Sequence, residues 1–378
     1  MVGPVDTSQR VTRLAPLSDA LARISVLASP VAARSLDVSS AIGRVLAADV
    51  VAPVPRPKTA IALRDGYAVR AESVADAGAY APIALTTGPA WVEVGEPVSG
   101  PADAVLEPEA VAVNGGVTQV LLPVGSGEGV LAAGGDAAEG EILRRSGECL
   151  RGIDAAVLQA VGASRVAVRV PQVRIICANP SMSAANDFVA PLLAGAIRKA
   201  GACAQIVRIG AENLALERAI TEADTDAIVT IGGTGRGRQD QTMRTLAALA
   251  ALEIHGIGLT PGTTAGLASL AGRPVLCVPG RLDAAVAVFL VLGRHLLARL
   301  SGRASVEPGT QAIVGRKIVS AIGLAEVVLV RHGTAGVEPV AREAFPWAAL
   351  AGAEGWILVP ANSEGLAPGA HTTLWTLP

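Results

Sequence analysis

A chain of 378 residues exceeds what one ordinary core organises and implies about two to four domains. Apolar residues make up 51% of it and aromatics only 2%, so its cores must be built from small aliphatic side chains. With 31 basic residues against 33 acidic ones and a formal net charge of -2, it lacks the basic footprint of a nucleic-acid binder.

The N-terminal stretch MVGPVDTSQRVTRLAP carries no apolar signal core, so a cytoplasmic location is the expectation. Residues 17–28 (LSDALARISVLA) have helical apolar spacing, with Ser18 as a candidate cap, and a second helical stretch is expected over 36–48. From Val51 the texture turns to prolines, glycines and short β-branched runs, which predicts a small β-rich module to about residue 133. GIDAAVLQAVGA, residues 152–163, reads as a helix. From Val173 strands and helices alternate: VRIICA, DFVAPLLAGAIRKAG, AQIVRIG, ENLALERAITEA, AIVTIGG, a helix near 241–250, PVLCVPG and a helix over 283–300. That alternation predicts a parallel, doubly wound α/β sheet, which binds ligands beyond the carboxyl ends of its strands. The most apolar run, Ala284 to Leu292, is short of the roughly 20 residues that span a bilayer. After Gly302 only short strand-like runs remain, so the C-terminal region is expected to be all-β.

The four cysteines (Cys149, Cys177, Cys203, Cys277) form no CxxC pair, and Cys177 and Cys277 fall inside apolar strand-like runs. Buried reduced thiols behave as small hydrophobes, so neither a disulfide framework nor a metal site is expected from them. The histidines (His255, His295, His332, His371) do not cluster in sequence, and none is assigned a role.

The most informative segment is IVTIGGTGRGRQDQT, residues 228–242. A strand there runs into Gly232, Gly233, Thr234 and Gly235 and then toward a helix, with Arg236, Gly237, Arg238 and Asp240 around the turn. Glycines let backbone approach an anion, yet the segment satisfies neither GxGxxG nor the P-loop pattern. A tight structural turn and an anion cradle stand as equal readings of it alone. Two further turns are expected on the same rim, Pro261-Gly262-Thr263-Thr264 and Pro279-Gly280-Arg281. Three glycine-bearing turns on one sheet edge favour a site for a phosphorylated or polyanionic ligand. Asp65, in DGYAVR, and Asp136, in GGDAAEGE, each admit two readings, a β-turn carboxylate or a carboxylate for metal or substrate.

GRVLAADVVAP (43–53), DGYAVR (65–70), ADAVLEPE (102–109), GGDAAEGEIL (134–143), the glycine loop, the two Pro-Gly turns and the tail EGWILVPANSEGLAPGAHTTLW occur in one order. This ordered series resembles the molybdopterin molybdenumtransferases, the MoeA and gephyrin E-domain family, over nearly the whole chain. The resemblance implies an elongated helical domain (1–52 and 134–170), an inserted β module (53–133), a molybdopterin-binding α/β domain (171–303) and a C-terminal β barrel (304–378). It implies a homodimer whose active site joins the α/β domain of one subunit to the DGYA region of the other. The reaction would insert molybdate into adenylylated molybdopterin with release of AMP, using magnesium. Asp65 and Asp136 would be metal and oxyanion carboxylates. Gly232, Gly233, Gly235, Gly237 and Asp240 would cradle the phosphate end of the pterin, and the Pro261 and Pro279 turns would line the same pocket.

The chain departs from that pattern at several points. The TGDEL motif expected near Ala178-Asn179-Pro180 is missing, with Asn186 and Asp187 as the nearest polar residues. The lysine of the PGKP turn is absent, leaving Thr263 and Thr264, and Arg281 stands where Asn is usual. The TGA segment before ADAV is missing too. Arg236, Arg238 and Arg281 are the candidates to restore positive charge. The loop's GGTG is closer to the single-domain molybdopterin adenylyltransferases. Three readings follow: a molybdenumtransferase with a remodelled site, a non-catalytic carrier or chaperone of the molybdenum cofactor serving a recipient molybdoenzyme, and an adenylyltransferase-like activity. The first leads, because Asp65, Asp136 and Asp240 all survive.

Overall fold

The computed structural model describes residues 13–178, 185–210, 214–222, 224–237, 240–303 and 309–378. These residues divide into two compact units. One comprises the described parts of Met1–Ala48, Ser146–Gly152 and Arg165–Pro378, and the other comprises Asp49–Arg145 and Ile153–Ser164.

The first unit is organised by a six-stranded sheet. Its strands are β1 (Gln172–Cys177), β2 (Cys203–Arg208), β3 (Ala227–Ile231), β4 (Leu252–His255), β5 (Gly266–Leu270) and β6 (Arg273–Val278), in the spatial order β2-β1-β3-β6-β5-β4. The helices are α1 (Ala190–Lys199), α2 (Ala215–Thr221), α3 (Thr242–Ala248) and α4 (Leu282–Ser301). Strands β2, β1, β3 and β6 pair in parallel, as the alternating sequence requires, while β5 and β4 extend the sheet antiparallel.

Every residue of β3 is buried, because a central parallel strand has covered faces on both sides and so reads as an unbroken apolar run. The period of two then splits its side chains between two cores. Val173, Ile175, Cys177, Val229, Ile231, Leu276 and Val278 enter one core, closed by the N-terminal helix Leu17–Leu27, α1 and α4. Ile176, Ile228, Val275 and Cys277 enter the other, closed by Leu216 and Ile220 of α2 and Met243 and Leu246 of α3. Helix α4 is long and apolar enough to cross a membrane by length and composition, but 78% of its most apolar window is buried inside this unit. It is a core helix.

Sequence expectation and structure part company in three places. Residues 36–48, expected to be helical, form a strand (Ala33–Asp37), a short 3-10 turn (Val38–Ala41) and a second strand (Val45–Leu46), both paired with Arg165–Arg169. In Ala33–Asp37 every side chain but the half-buried Leu36 is exposed, so the segment has no apolar stripe to hold a helix against a core. Ser18 does not cap the first helix, which starts after Pro16 with no side-chain cap; its hydroxyl donates to Asp19. The short strand Leu259–Thr260, expected in the α/β sheet, instead pairs with Ala325 and Glu326 at the edge of the C-terminal sheet. That sheet continues through Ala325–Gly333, Gly355–Val359, His371–Thr376 and Thr310–Ile313, around Val314, Ile318, Val328, Val330 and Ile357.

The second unit holds two three-stranded sheets, one built on Gly66–Val69 between Ala90–Val92 and Ala104–Leu106, the other on Ile83–Leu85, Val111–Asn114 and Val117–Val120. Its cores are small, Val69, Val74, Leu106 and Val120 in one and Ala62, Val92 and Val105 in another. Gly66 is forced by packing, since a Cβ there would overlap the Leu106 carbonyl oxygen.

All four cysteines are free, with Cys177 and Cys277 buried as expected. Burial pushes the Cys277 thiol up to about 12, whereas a thiol in an unfolded chain ionises near about 8.5. Between those values the unfolded state releases a proton that the folded state keeps, so stability must fall as pH rises through the window, with no such effect below it. Urea unfolding of the wild type and of Cys277→Ala from neutral to alkaline pH checks this. The wild type is expected to lose up to about 1.4 kcal/mol more per pH unit above the thiol's unfolded value than the variant.

Candidate functional site

The parallel ladder aligns the carboxyl ends of β1, β3 and β6, with Cys177 opposite Ile231 and Ile231 opposite Val278. Beyond this edge the chain continues one more rung, where Gly232 donates its N–H to the Val278 carbonyl at 2.9 Å. Thr242, the first residue of α3, then ties the turn down. Its hydroxyl donates to the Gly232 carbonyl at 2.7 Å and its N–H to the Gly233 carbonyl at 3.1 Å. Gly233 has φ of +71°, and a Cβ there would overlap the Thr242 hydroxyl, so both conformation and space demand glycine.

The outer half of the loop closes on Asp240. Gly237 donates its N–H to Asp240 Oδ2 at 2.8 Å, and Asp240 donates its own N–H to the Gly237 carbonyl at 3.0 Å. A Cβ on Gly235 would lie 2.7 Å from the same carboxylate oxygen. Asp240, expected from the sequence at a cofactor cradle, therefore folds back into the loop and stabilises its shape through a charge-assisted bond. Arg236 projects from the loop as an exposed residue, and Arg238 lies outside the described residues.

The other two turns meet this loop. Thr264 Oγ1 stands 3.2 Å from Thr234 Oγ1, and Thr234 is only 2% exposed. The Pro261–Thr264 turn is braced by an Ala265 N–H to Gly262 carbonyl bond at 2.9 Å and an Ile257 N–H to Thr263 carbonyl bond at 3.2 Å. Although the preceding strand belongs to the C-terminal sheet, the turn leads into Gly266, which pairs with both His255 and Cys277. Pro279, Gly280 and Arg281 follow β6 directly into α4. Arg281 is not an uncommitted cation: its guanidinium pairs with Asp283 at 2.8 Å, and Asp283 also accepts the Ala284 N–H. The structure thus brings all three turns to one rim, joined by the Gly232–Val278 bond and the Thr234–Thr264 contact.

One contributor was not singled out in the sequence. His255 closes β4, and its Nε2 lies 3.0 Å from the Thr234 carbonyl oxygen. A lone histidine gives no signal; recognising LEIH as a strand ending on the ligand-binding edge would have placed it.

The carboxylates of the second unit stand on separate turns. Asp65 accepts the Val94 N–H at 2.8 Å. Asp136 donates its own N–H to the Arg56 carbonyl at 2.9 Å, beside an isolated antiparallel bridge between Arg56 and Ala137. Both side chains are exposed. Arg64, beside Asp65, is occupied by Glu107 and Glu128 at 2.9 Å each, and its hydrogen bonds hold the Glu128 carboxyl below its ordinary range. Among the described residues, no group of three or more His, Cys, Asp or Glu side chains comes together to hold a metal ion. Magnesium takes octahedral oxygen ligation, so two isolated carboxylates do not fit it by themselves, and no step below is routed through it.

An α/β domain with a glycine-built rim, joined to β modules on both sides in sequence, defines a class of multidomain α/β proteins with a candidate ligand edge at the carboxyl ends of the strands. Two family models make that class specific. Residues 15–162 match the "MoeA N-terminal region (domain I and II)", and residues 174–299 match the "Probable molybdopterin binding domain". The chain belongs to the MoeA family. It is 25% identical to molybdopterin molybdenumtransferase 2 of Mycobacterium tuberculosis, over 91% of this chain and 95% of that protein. It is 28% identical to molybdopterin molybdenumtransferase 1 of the same organism, over 78% and 83% of the two chains. The crystal structure of the molybdopterin biosynthesis MoeA protein from Pyrococcus horikoshii OT3 superimposes with a TM-score of 0.80 at 25% identity, covering 96% of this chain and all of that one.

Gly233→Ala must force both a left-handed backbone and a clash with Thr242. It is expected to destabilise the α/β domain by about 1–3 kcal/mol. Asp240→Asn, which keeps an acceptor for Gly237, should cost about 1 kcal/mol or less. Chemical denaturation of the two variants beside the wild type measures both.

Proposed function

We propose that this protein acts in molybdenum cofactor biosynthesis as a molybdopterin molybdenumtransferase. It would insert molybdate into adenylylated molybdopterin and release AMP. The observation that carries this reading is the convergence of the three glycine turns on one rim, within the segment matched by the molybdopterin-binding family model. Relatives bearing the transferase name align over most of both chains, which supports the same activity.

In this reading the rim seats the phosphate end of the pterin. Gly232, Gly233, Thr234, Gly235 and Gly237 supply close-approaching backbone, and Thr263 and Thr264 supply neutral donors where the family pattern has lysine. Positive charge comes from Arg236 and Arg238 of the loop, with Arg281 held beside it by Asp283. Asp240 shapes the loop. By the family resemblance, Asp65 and Asp136 would serve as the oxyanion-facing carboxylates of a cytoplasmic homodimer. A magnesium requirement would have to be met largely by the phosphate oxygens of the substrate, since Asp65 and Asp136 do not by themselves form its site. The tie between Asp240 and Gly237 and the missing lysine give substance to a second reading, in which the protein only binds and carries the cofactor to a recipient enzyme.

One assay separates the two. Purified protein is incubated with adenylylated molybdopterin and molybdate, with and without magnesium, and AMP is quantified. The transferase reading expects catalytic, molybdate-dependent release of AMP, reduced at least about tenfold by Asp65→Asn, which replaces the charged carboxylate with a neutral amide. Tight binding without AMP release would establish the carrier instead. Consumption of ATP with molybdopterin would mark adenylyltransferase chemistry.

A further inference from the structure

The glycine loop is held from a side that the family pattern does not mention. The Thr234 carbonyl oxygen can only accept a hydrogen bond, so the His255 Nε2 that lies 3.0 Å from it must carry a proton and donate. The peptide between Thr234 and Gly235 is trans, since the cis bonds of the described chain precede Pro57 and Pro261. In a planar trans peptide the carbonyl and the following N–H point in opposite directions. Fixing the Thr234 carbonyl on His255 therefore aims the Gly235 N–H away from His255. The side chain of Thr234 is held independently by Thr264, 3.2 Å away, so the residue is gripped at two points by two different elements.

We propose that His255 is a positioning residue for the ligand seat. By donating Nε2–H to the Thr234 carbonyl it fixes the Thr234–Gly235 peptide, and so the shape of the glycine loop, and with that shape the affinity of the rim for a phosphorylated pterin. The inference rests on the reading of this rim as the pterin seat. The donor survives protonation of the ring, because the imidazolium also carries a hydrogen at Nε2. Its supporting frame is rigid. His255 is the last residue of β4 and pairs with Gly266, the first of β5, where any Cβ would crowd Met243 Cε at 2.6 Å. Nothing in this geometry requires His255 to touch the ligand.

The test uses the full chain and two readouts. Amide hydrogen exchange at Gly235 reports the peptide's orientation without any ligand, and titration with adenylylated molybdopterin reports the seat. His255→Ala is expected to speed exchange at Gly235 and to weaken binding about tenfold, as for one lost hydrogen bond in a partly buried site. His255→Gln, which can place an amide N–H near the former Nε2, should restore most of both. Thr264→Val, which releases the side-chain grip alone, is the second variant should His255→Ala fail to fold, and it is expected to shift both readouts in the same direction. Unchanged exchange and unchanged affinity in His255→Ala would overturn the proposal. If exchange responds as expected but the wild type binds no pterin, the assignment of the ligand falls while the positioning of the Gly235 peptide stands.

Discussion

At the carboxyl edge of the central sheet, the backbone bond from Gly232 to Val278 carries the parallel ladder one residue past the end of β3. Because β3 is buried on both faces and clamped between β1 and β6, the point at which its chain leaves the sheet is not adjustable. The loop that follows inherits that rigidity. Thr242 then returns to the Gly232 and Gly233 carbonyls, so loop and helix start are closed on each other before any ligand arrives. A preorganised backbone of this kind spends little entropy on binding, which is why a rigid sheet edge is a better host for an anion seat than a free loop.

What the chain has changed relative to the family pattern lies around this frame. Where the family pattern has the lysine of the first Pro-Gly turn, this chain has Thr263 and Thr264, and Thr264 uses its hydroxyl to meet Thr234. A mobile cation has thus been exchanged for a short neutral contact that braces the loop. Arg281 occupies the place of an asparagine and is drawn to Asp283, so part of its charge is already spent locally. The arginine end of this pair is exposed but Asp283 is buried, so turning the guanidinium away would leave a buried carboxylate poorly compensated, and Arg281 is held in place rather than free to reorient.

Much of the architecture was legible because its physical signals are local. The mostly apolar runs VRIICA, AIVTIGG and PVLCVPG marked the central parallel strands, and the helical spacing between them marked the covering layers. The Gly-rich turns announced the site through conformational demands that only glycine meets. Harder to read were elements whose identity depends on distant partners. Residues 33–46 become strands only because Arg165–Arg169 lies beside them. LEIH and GLASL are too short to stand out, so the antiparallel extension of the sheet and the place of His255 were hidden with them. The strand Leu259–Thr260 joins a sheet whose other members begin some fifty residues later, a pairing no local pattern encodes. Asp240 shows the converse: its presence was readable, but its engagement with Gly237 depends on the folded loop.

The account turns on where a phosphorylated pterin binds. The first unit also holds a cavity of about 210 Å³ with Lys199, Arg294 and Arg303 among its lining residues and none of the three turns. That cavity is the natural competitor for an anion. A crystal structure of the full chain grown with adenylylated molybdopterin and molybdate decides between them. Density for the phosphates against Gly232–Gly237, within reach of Thr264 and Gly280, is the predicted result; phosphates seated in the Lys199–Arg303 cavity, with the rim empty, would contradict it.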